Sequence, residues 1–193
     1  KIEDYFNEYR LSDALMSTYK LIWNDFCSWY LEWIKPAYGQ AIDKTTYDKT
    51  LEFFRNLLKV LHQFMPFITE EIWDNIKEPN EKHLIISKWP ESTSSSETAI
   101  IDAAQVLFDV TGQIRNVRNE KGISPKEPLE LFIKTKSDLI YQKISPSLKK
   151  MGNLNEIHFK SEKPDNSISF VYQSDELSIP ILSLIDTDAE KAK

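Results

Sequence analysis

The hydrophobic period of this chain changes once, at Pro125, and that change limits what the chain can fold into. Up to Lys121 the apolar residues recur every three or four positions, the spacing of helices with one buried face. After Pro125 they alternate, the spacing of short strands. Proline disfavours the helical region for the residue before it, so Ser124-Pro125 also enforces the break.

In the helical part, Leu15, Tyr19, Ile22, Phe26, Trp29/Tyr30 and Trp33 form one stripe. Ser12 serves as its expected N-cap, and Pro36 with Gly39 as its stop. A shorter amphipathic stretch, residues 2–9, precedes it. A second stripe runs Tyr47, Leu51, Phe54, Leu58 and Leu61, capped at Asp43 or Thr45 and broken at Pro66. A third takes in Ile68, Ile72, Trp73 and Ile76 and ends before Pro79. Residues 84–89 read as short and extended, and 92–97 as a small polar loop. The fourth stripe, over residues 98–121, is Ile100, Ala103/Ala104, Leu107, Val110, Ile114 and Val117, with Gly122 as C-terminal cap. Helices with single apolar faces bury them against one another, so residues 1–124 are expected to form an antiparallel helix bundle.

Beyond the break, Leu129, Leu131 and Ile133 alternate with Glu130, Phe132 and Lys134. Residues 137–151 read as a helix containing Pro146 and ended by Gly152-Asn153. Three alternating runs follow, at Ile157/Phe159, Ile168/Phe170/Tyr172 and Leu177/Ile179. Residues 125–185 are therefore expected to form a small β-α-β-β-β subdomain. Residues 186–193 read as the start of a further helix, a truncated coiled coil. The fold class is mainly α, a helix bundle followed by a small mixed α+β part.

Composition removes many chemistries. The four glycines stand at least ten positions apart, so no Gly-rich phosphate loop and no dinucleotide fingerprint exists. Cys27 is the sole cysteine, which excludes an intrachain disulfide and a Cys-x-x-Cys zinc site. His62, His83 and His158 share no metal-ligand spacing in sequence. Glu70/Glu71 is a carboxylate pair indistinguishable from a solvated helix face, so neither a catalytic residue nor a metal ligand is assigned. His62 and Cys27 read as structural side chains of the core. No apolar run is long enough to cross a membrane. A lone cysteine suits a reducing, cytoplasmic setting. Beginning at Lys1, the chain reads as a piece of a longer protein.

Net charge is -6; residues 1–124 carry 14 basic and 19 acidic side chains, and the rest 10 and 11. Neither part is the broad basic patch of an autonomous nucleic-acid binder. Against that background, residues 110–126 hold four basic side chains and one acidic. Two of only four arginines, Arg115 and Arg118, stand there three apart. Guanidinium groups bind phosphate bidentately and stack on bases. Cations near a helix C-terminus also complement its dipole with no ligand at all. Spacing leaves both readings open. On the first long helix Lys20, Asn24, Ser28 and Glu32 lie at i, i+4 intervals, as on any wet face and also as suits contact with base edges. The aromatic run Trp23, Phe26, Trp29, Tyr30 and Trp33 reads first as core, and Trp23 and Tyr30 also as edge side chains, where an exposed aromatic stacks on an unpaired base.

Three strings, in order, carry a resemblance: Trp23-Asn24-Asp25-Phe26-Cys27-Ser28-Trp29-Tyr30-Leu31-Glu32, Leu61-His62-Gln63-Phe64-Met65-Pro66-Phe67-Ile68-Thr69-Glu70-Glu71-Ile72-Trp73, and Ile114-Arg115-Asn116-Val117-Arg118-Asn119-Glu120. Together they resemble the anticodon-binding region of class I aminoacyl-tRNA synthetases, most closely the valyl branch, with isoleucyl and leucyl relatives sharing part of the first string. The resemblance implies a bundle that grips the anticodon stem and loop of valine tRNA, in a parent that joins valine to tRNA using ATP. The family's two ATP-site signatures are missing from these residues, so ATP is a reactant of the parent and this piece needs no cofactor. DNA and membrane are not expected partners, and a monomer is. A helical scaffold for another protein is the alternative from a different class. Candidate tRNA-facing residues are Lys20, Asn24, Ser28, Tyr30, Arg115, Arg118, Asn119 and Lys121, with at least one of the two arginines in contact with RNA. This chain alone is expected to support no valine-dependent pyrophosphate exchange. Exchange above a boiled control contradicts that reading.

Overall fold

A computed structural model describes residues 1–36, 38–91, 98–136, 138–159 and 164–180. The small loop at 92–97 and the expected final helix at 186–193 lie outside these residues. Two compact units divide between Ser94 and Ser95. The chain is mainly α, with one small mixed sheet.

The first unit holds α1 (Ile2–Asn7), α2 (Leu11–Tyr19), a π-helical segment (Lys20–Tyr30), α3 (Leu31–Ile34), α4 (Lys44–Leu61), α5 (Pro66–Ile76) and a 3-10 turn (Leu84–Ile86). Local chemistry sets the ends. The Asp43 carboxylate accepts from the Thr46 backbone N–H at 2.9 Å and caps α4. Pro66 opens α5, where a missing N–H costs nothing. Ser12 lies inside α2, whose N-cap is Arg10, with no side-chain cap bond.

Trp73 is fully buried at the centre of this unit and packs with Leu58 and Leu84, flanked by Phe54, Ile72 and Ile76. Its indole N–H donates to the Lys82 carbonyl at 3.0 Å. The Arg55 guanidinium lies 4.7 Å over its ring and pairs with Glu81. Two aromatic residues of the π segment pack on α4: Phe26 stacks on Phe54 at 6.1 Å, and Tyr30 meets Phe53 edge-on at 5.5 Å.

Two expectations change here. Leu15 and Tyr19 stay about half exposed, while Ala14 and Thr18 take the buried positions of α2. Small side chains permit a closer backbone approach, and the Thr18 hydroxyl is satisfied by the Ala14 carbonyl at 2.9 Å. Residues 84–86 curl into a 3-10 turn instead of extending. The Glu70 carboxylate draws them in, accepting from the Leu84 N–H at 2.9 Å and the Ile85 N–H at 3.3 Å.

The second unit holds α6 (Thr98–Glu120), β1 (Leu129–Lys134), α7 (Leu139–Gly152), β2 (Leu154–Phe159), β3 (Ser167–Tyr172) and β4 (Asp175–Pro180). The expected β-α-β-β-β order is present. The sheet order is β2-β1-β4-β3, with β1 parallel to β2 across α7 and both other pairs antiparallel. Leu129, Leu131, Ile133, Leu177 and Ile179 of the sheet are buried, as are Tyr141, Ile144 and Leu148 of α7 and Leu107, Val110 and Ile114 of α6.

By its period α6 groups with the preceding helices, yet it belongs to the second compact unit. The Tyr172 hydroxyl on β3 donates to Asp109 of α6 at 3.1 Å. At the end of α7 the packing is tight: a Cβ on Gly152 would stand 3.1 Å from Leu154 and 3.4 Å from Ile114 of α6. A period says which face a helix buries, not which neighbour covers it.

Glu70 gives this fold a pH dependence. Burial raises its pKa, but the Leu84 and Ile85 N–H bonds and His83 outweigh that and hold it below the ordinary carboxylate value. Its contribution is therefore fully present above the ordinary value and is lost as pH falls through the lowered one. The urea midpoint should fall further on acidification in the parent chain than in Glu70→Gln. Parallel pH curves for the two contradict the assignment.

Candidate nucleic-acid interface

The candidate residues separate into two groups, one on each compact unit. In the first, Lys20, Asn24 and Ser28 are all exposed on the π-helical segment. The segment is bonded i→i+5, which turns residues four apart around the axis differently from an α-helix. Ser28 spends its hydroxyl proton on the Trp23 carbonyl five residues back, at 2.8 Å. Trp23 is 58% exposed and stacks with Tyr19 at 6.3 Å, the rings 10° from parallel. Cys27 is exposed, which corrects its reading as a core thiol. Tyr30 turns inward: it is half-buried, stacks on Phe26 at 5.6 Å, and its hydroxyl lies 3.1 Å from the Thr50 hydroxyl on α4.

A groove of about 290 Å³ opens between this segment and α4, lined by Leu21, Asp25, Phe26, Tyr30, Phe53, Asn56 and Leu57. Four of these seven belong to the π segment. Sequence reasoning placed Phe26 on the packed stripe, offered Tyr30 as RNA-facing, and missed Leu21, Asp25, Phe53, Asn56 and Leu57. The Phe53-Phe54 pair was the available signal, since one stripe accommodates only Phe54.

In the second unit, Arg115 and Asn119 are exposed on α6, and Lys121 is partly buried just beyond it. Arg118 is 5% exposed. Its Nη1 donates to the carbonyls of Ser124 at 2.9 Å and Glu127 at 2.8 Å. Its Nη2 donates to those of Gly152 at 3.0 Å and Asn153 at 3.1 Å. Burial lowers its pKa from the ordinary arginine value, and nearby Glu127 works the other way. Against the expectation of an RNA-facing side chain, the Arg118 guanidinium is buried and bonded to four carbonyls of its own chain.

One further cluster joins residues far apart in sequence. Glu70, Asp74 and His83 bring potential ligand atoms within 4.8 Å of one another. Both Glu70 oxygens cap the 3-10 turn, and the Lys77 ammonium donates to Asp74 at 2.5 Å. Glu70 and Asp74 are thus each engaged in hydrogen bonds within the first unit.

A family model described as the anticodon-binding domain of tRNA ligase matches residues 1–133. The chain belongs to this family. It is 45% identical over its whole length to a valine–tRNA ligase of Phocaeicola vulgatus and 42% identical to one of Christiangramia forsetii. A valine–tRNA ligase of Geobacillus stearothermophilus is 32% identical over 95% of the chain. The chain spans 22% of the length of each of these relatives.

Arg118→Ala strips four carbonyls of their donor, which costs about 3 kcal/mol. Calorimetry should show a melting temperature lower by roughly 10 °C or more. RNA affinity, per folded molecule, should stay the same. An unchanged melt with weaker RNA binding would return Arg118 to the interface.

Proposed function

We propose that this chain is the part of a valine–tRNA ligase that grips the anticodon stem and loop of valine tRNA. The match to the anticodon-binding family over residues 1–133 carries the reading, and the valine–tRNA ligase names of the relatives support the choice of amino acid. In this reading the helices form the antiparallel bundle of class I synthetases, and the chain acts as one copy in the cytoplasm. ATP and valine react elsewhere in the parent. The isolated glycines of this chain build no phosphate loop, and no step of that reaction is placed on it.

The RNA-facing residues of this reading are Lys20 and Asn24, with Ser28 beside them, in the first unit and Arg115, Asn119 and Lys121 in the second. RNA loops are read by stacking on exposed rings and by polar contacts to base edges, while phosphates are met by cations. Exposed Trp23, between Lys20 and Asn24 in sequence, supplies the ring.

Filter binding to valine tRNA tests this. The chain should bind it at low salt and lose affinity steeply as salt rises. A valine tRNA with an altered anticodon should bind more weakly. Equal affinity for both tRNAs at every salt concentration sinks the anticodon reading, and no binding to either favours a protein scaffold.

A further inference from the structure

We propose that Glu70, Asp74 and His83 form a binding site for one divalent transition-metal ion, of which Zn2+ is the type, where α5 meets the loop that leads into the 3-10 turn.

The donor set is mixed and convergent. Glu70 and Asp74 stand four apart on α5, so they share one face of that helix. The fold returns His83, further along the chain, to the same face. One ligand atom from each residue lies within 4.8 Å of the other two. His83 Nδ1 is 3.1 Å from Glu70 Oε1 and 3.8 Å from Asp74 Oδ1. Zinc bonds to nitrogen and oxygen run about 2.0–2.2 Å, so ligand atoms on one tetrahedral ion stand roughly 3.3–3.6 Å apart. The two measured separations bracket that range. Asp74 is exposed, so its side chain is free to turn and close the third edge.

Charge and orientation also suit a cation. A metal ligand must be deprotonated. The Lys77 ammonium holds the Asp74 carboxyl below its ordinary value. Against the cost of burial, the Leu84 and Ile85 N–H groups hold Glu70 low as well. Those N–H groups come from outside the donor set and fix the Glu70 carboxylate in place, the outer support that metal-ligating carboxylates have. A carboxylate only accepts, so His83 Nδ1 carries a proton where it faces Glu70. That proton marks the position the ion takes, and the imidazole then keeps its proton on Nε2. Lys77 already rests on Asp74 Oδ1 at 2.5 Å. A carboxylate offers about four lone-pair sites, so Asp74 holds the ammonium and a metal together. The imidazole selects the ion: Mg2+ and Ca2+ take oxygen ligands, whereas imidazole with carboxylates suits Zn2+ and its neighbours in the first transition row. His83 is 64% exposed, so water completes the coordination. An ion there clamps the turn that carries buried Leu84 to the helix that carries Trp73.

The test titrates the whole chain, free of any affinity tag, with ZnCl2 in a calorimeter. One Zn2+ should bind per chain and raise the melting temperature. His83→Gln and Asp74→Asn should each weaken binding about tenfold or more. Each should also lose the metal-dependent rise in melting temperature, while melting near the parent in its absence. If one variant fails to fold, the other decides. Exposed Cys27 is a competing zinc ligand, so Cys27→Ser should bind Zn2+ as the parent does. MgCl2 should give no comparable response. Zn2+ binding that survives in folded His83→Gln or Asp74→Asn overturns the site, and so does binding lost in Cys27→Ser. An absence of saturable binding, or an equal response to Mg2+, overturns it too.

Discussion

One guanidinium holds the place where the helical period of this chain gives way to the strand period. Arg118, near the end of α6, reaches the turn that precedes β1 and the junction of α7 with β2, donating to four main-chain carbonyls. Asn153 completes the junction. It takes a left-handed conformation, its side chain donates to the Pro125 and Glu127 carbonyls, and its own carbonyl accepts from the Leu129 N–H. Lysine could not replace Arg118, because one ammonium has three donors and no planar fork to distribute them. The start of β1, and with it the register of the sheet, follows from this node.

Arginine has a similar internal task elsewhere. Arg55 covers Trp73 and pairs with Glu81, and Arg10 pairs with Glu8 and Asp13 over Tyr5. Three of the four arginines are thus engaged with carbonyls, carboxylates or rings of their own chain. Their planar, multi-donor geometry suits a protein's own carbonyls, carboxylates and rings as well as it suits phosphate.

The first unit places aromatics on two sides of one helical stretch. Within the π segment from Lys20 to Tyr30, Phe26 and Tyr30 pack on α4 and Trp23 stays exposed. The outcome is an inward aromatic groove and an outward aromatic pair, Tyr19 with Trp23, on one continuous stretch of helix. Polar residues at Lys20 and Asn24 share that stretch, so ring, amide and charge are supplied by a few consecutive residues.

Much of the fold was legible in the sequence because periodicity is a local property. The helix at residues 98–120, the break at Pro125, the β-α-β-β-β order and the Asp43 cap each follow from residues within a few positions of one another. The candidate site was legible only in its ingredients. Sequence identified Lys20 and Asn24 as a polar face and left Trp23 open between core and edge. Tertiary structure decided that Tyr30 turns inward, that Cys27 is exposed, that Arg118 is buried, and that Asp25 shares a groove with Phe53 and Asn56 of α4. It also decided that α6 belongs with the sheet and that Glu70 captures the turn at Leu84. The physical reason is the same throughout. Backbone propensity and hydrophobic spacing are fixed by neighbours along the chain, whereas the partner of a buried guanidinium, a ring or a carboxylate is whatever packing brings within a few ångströms.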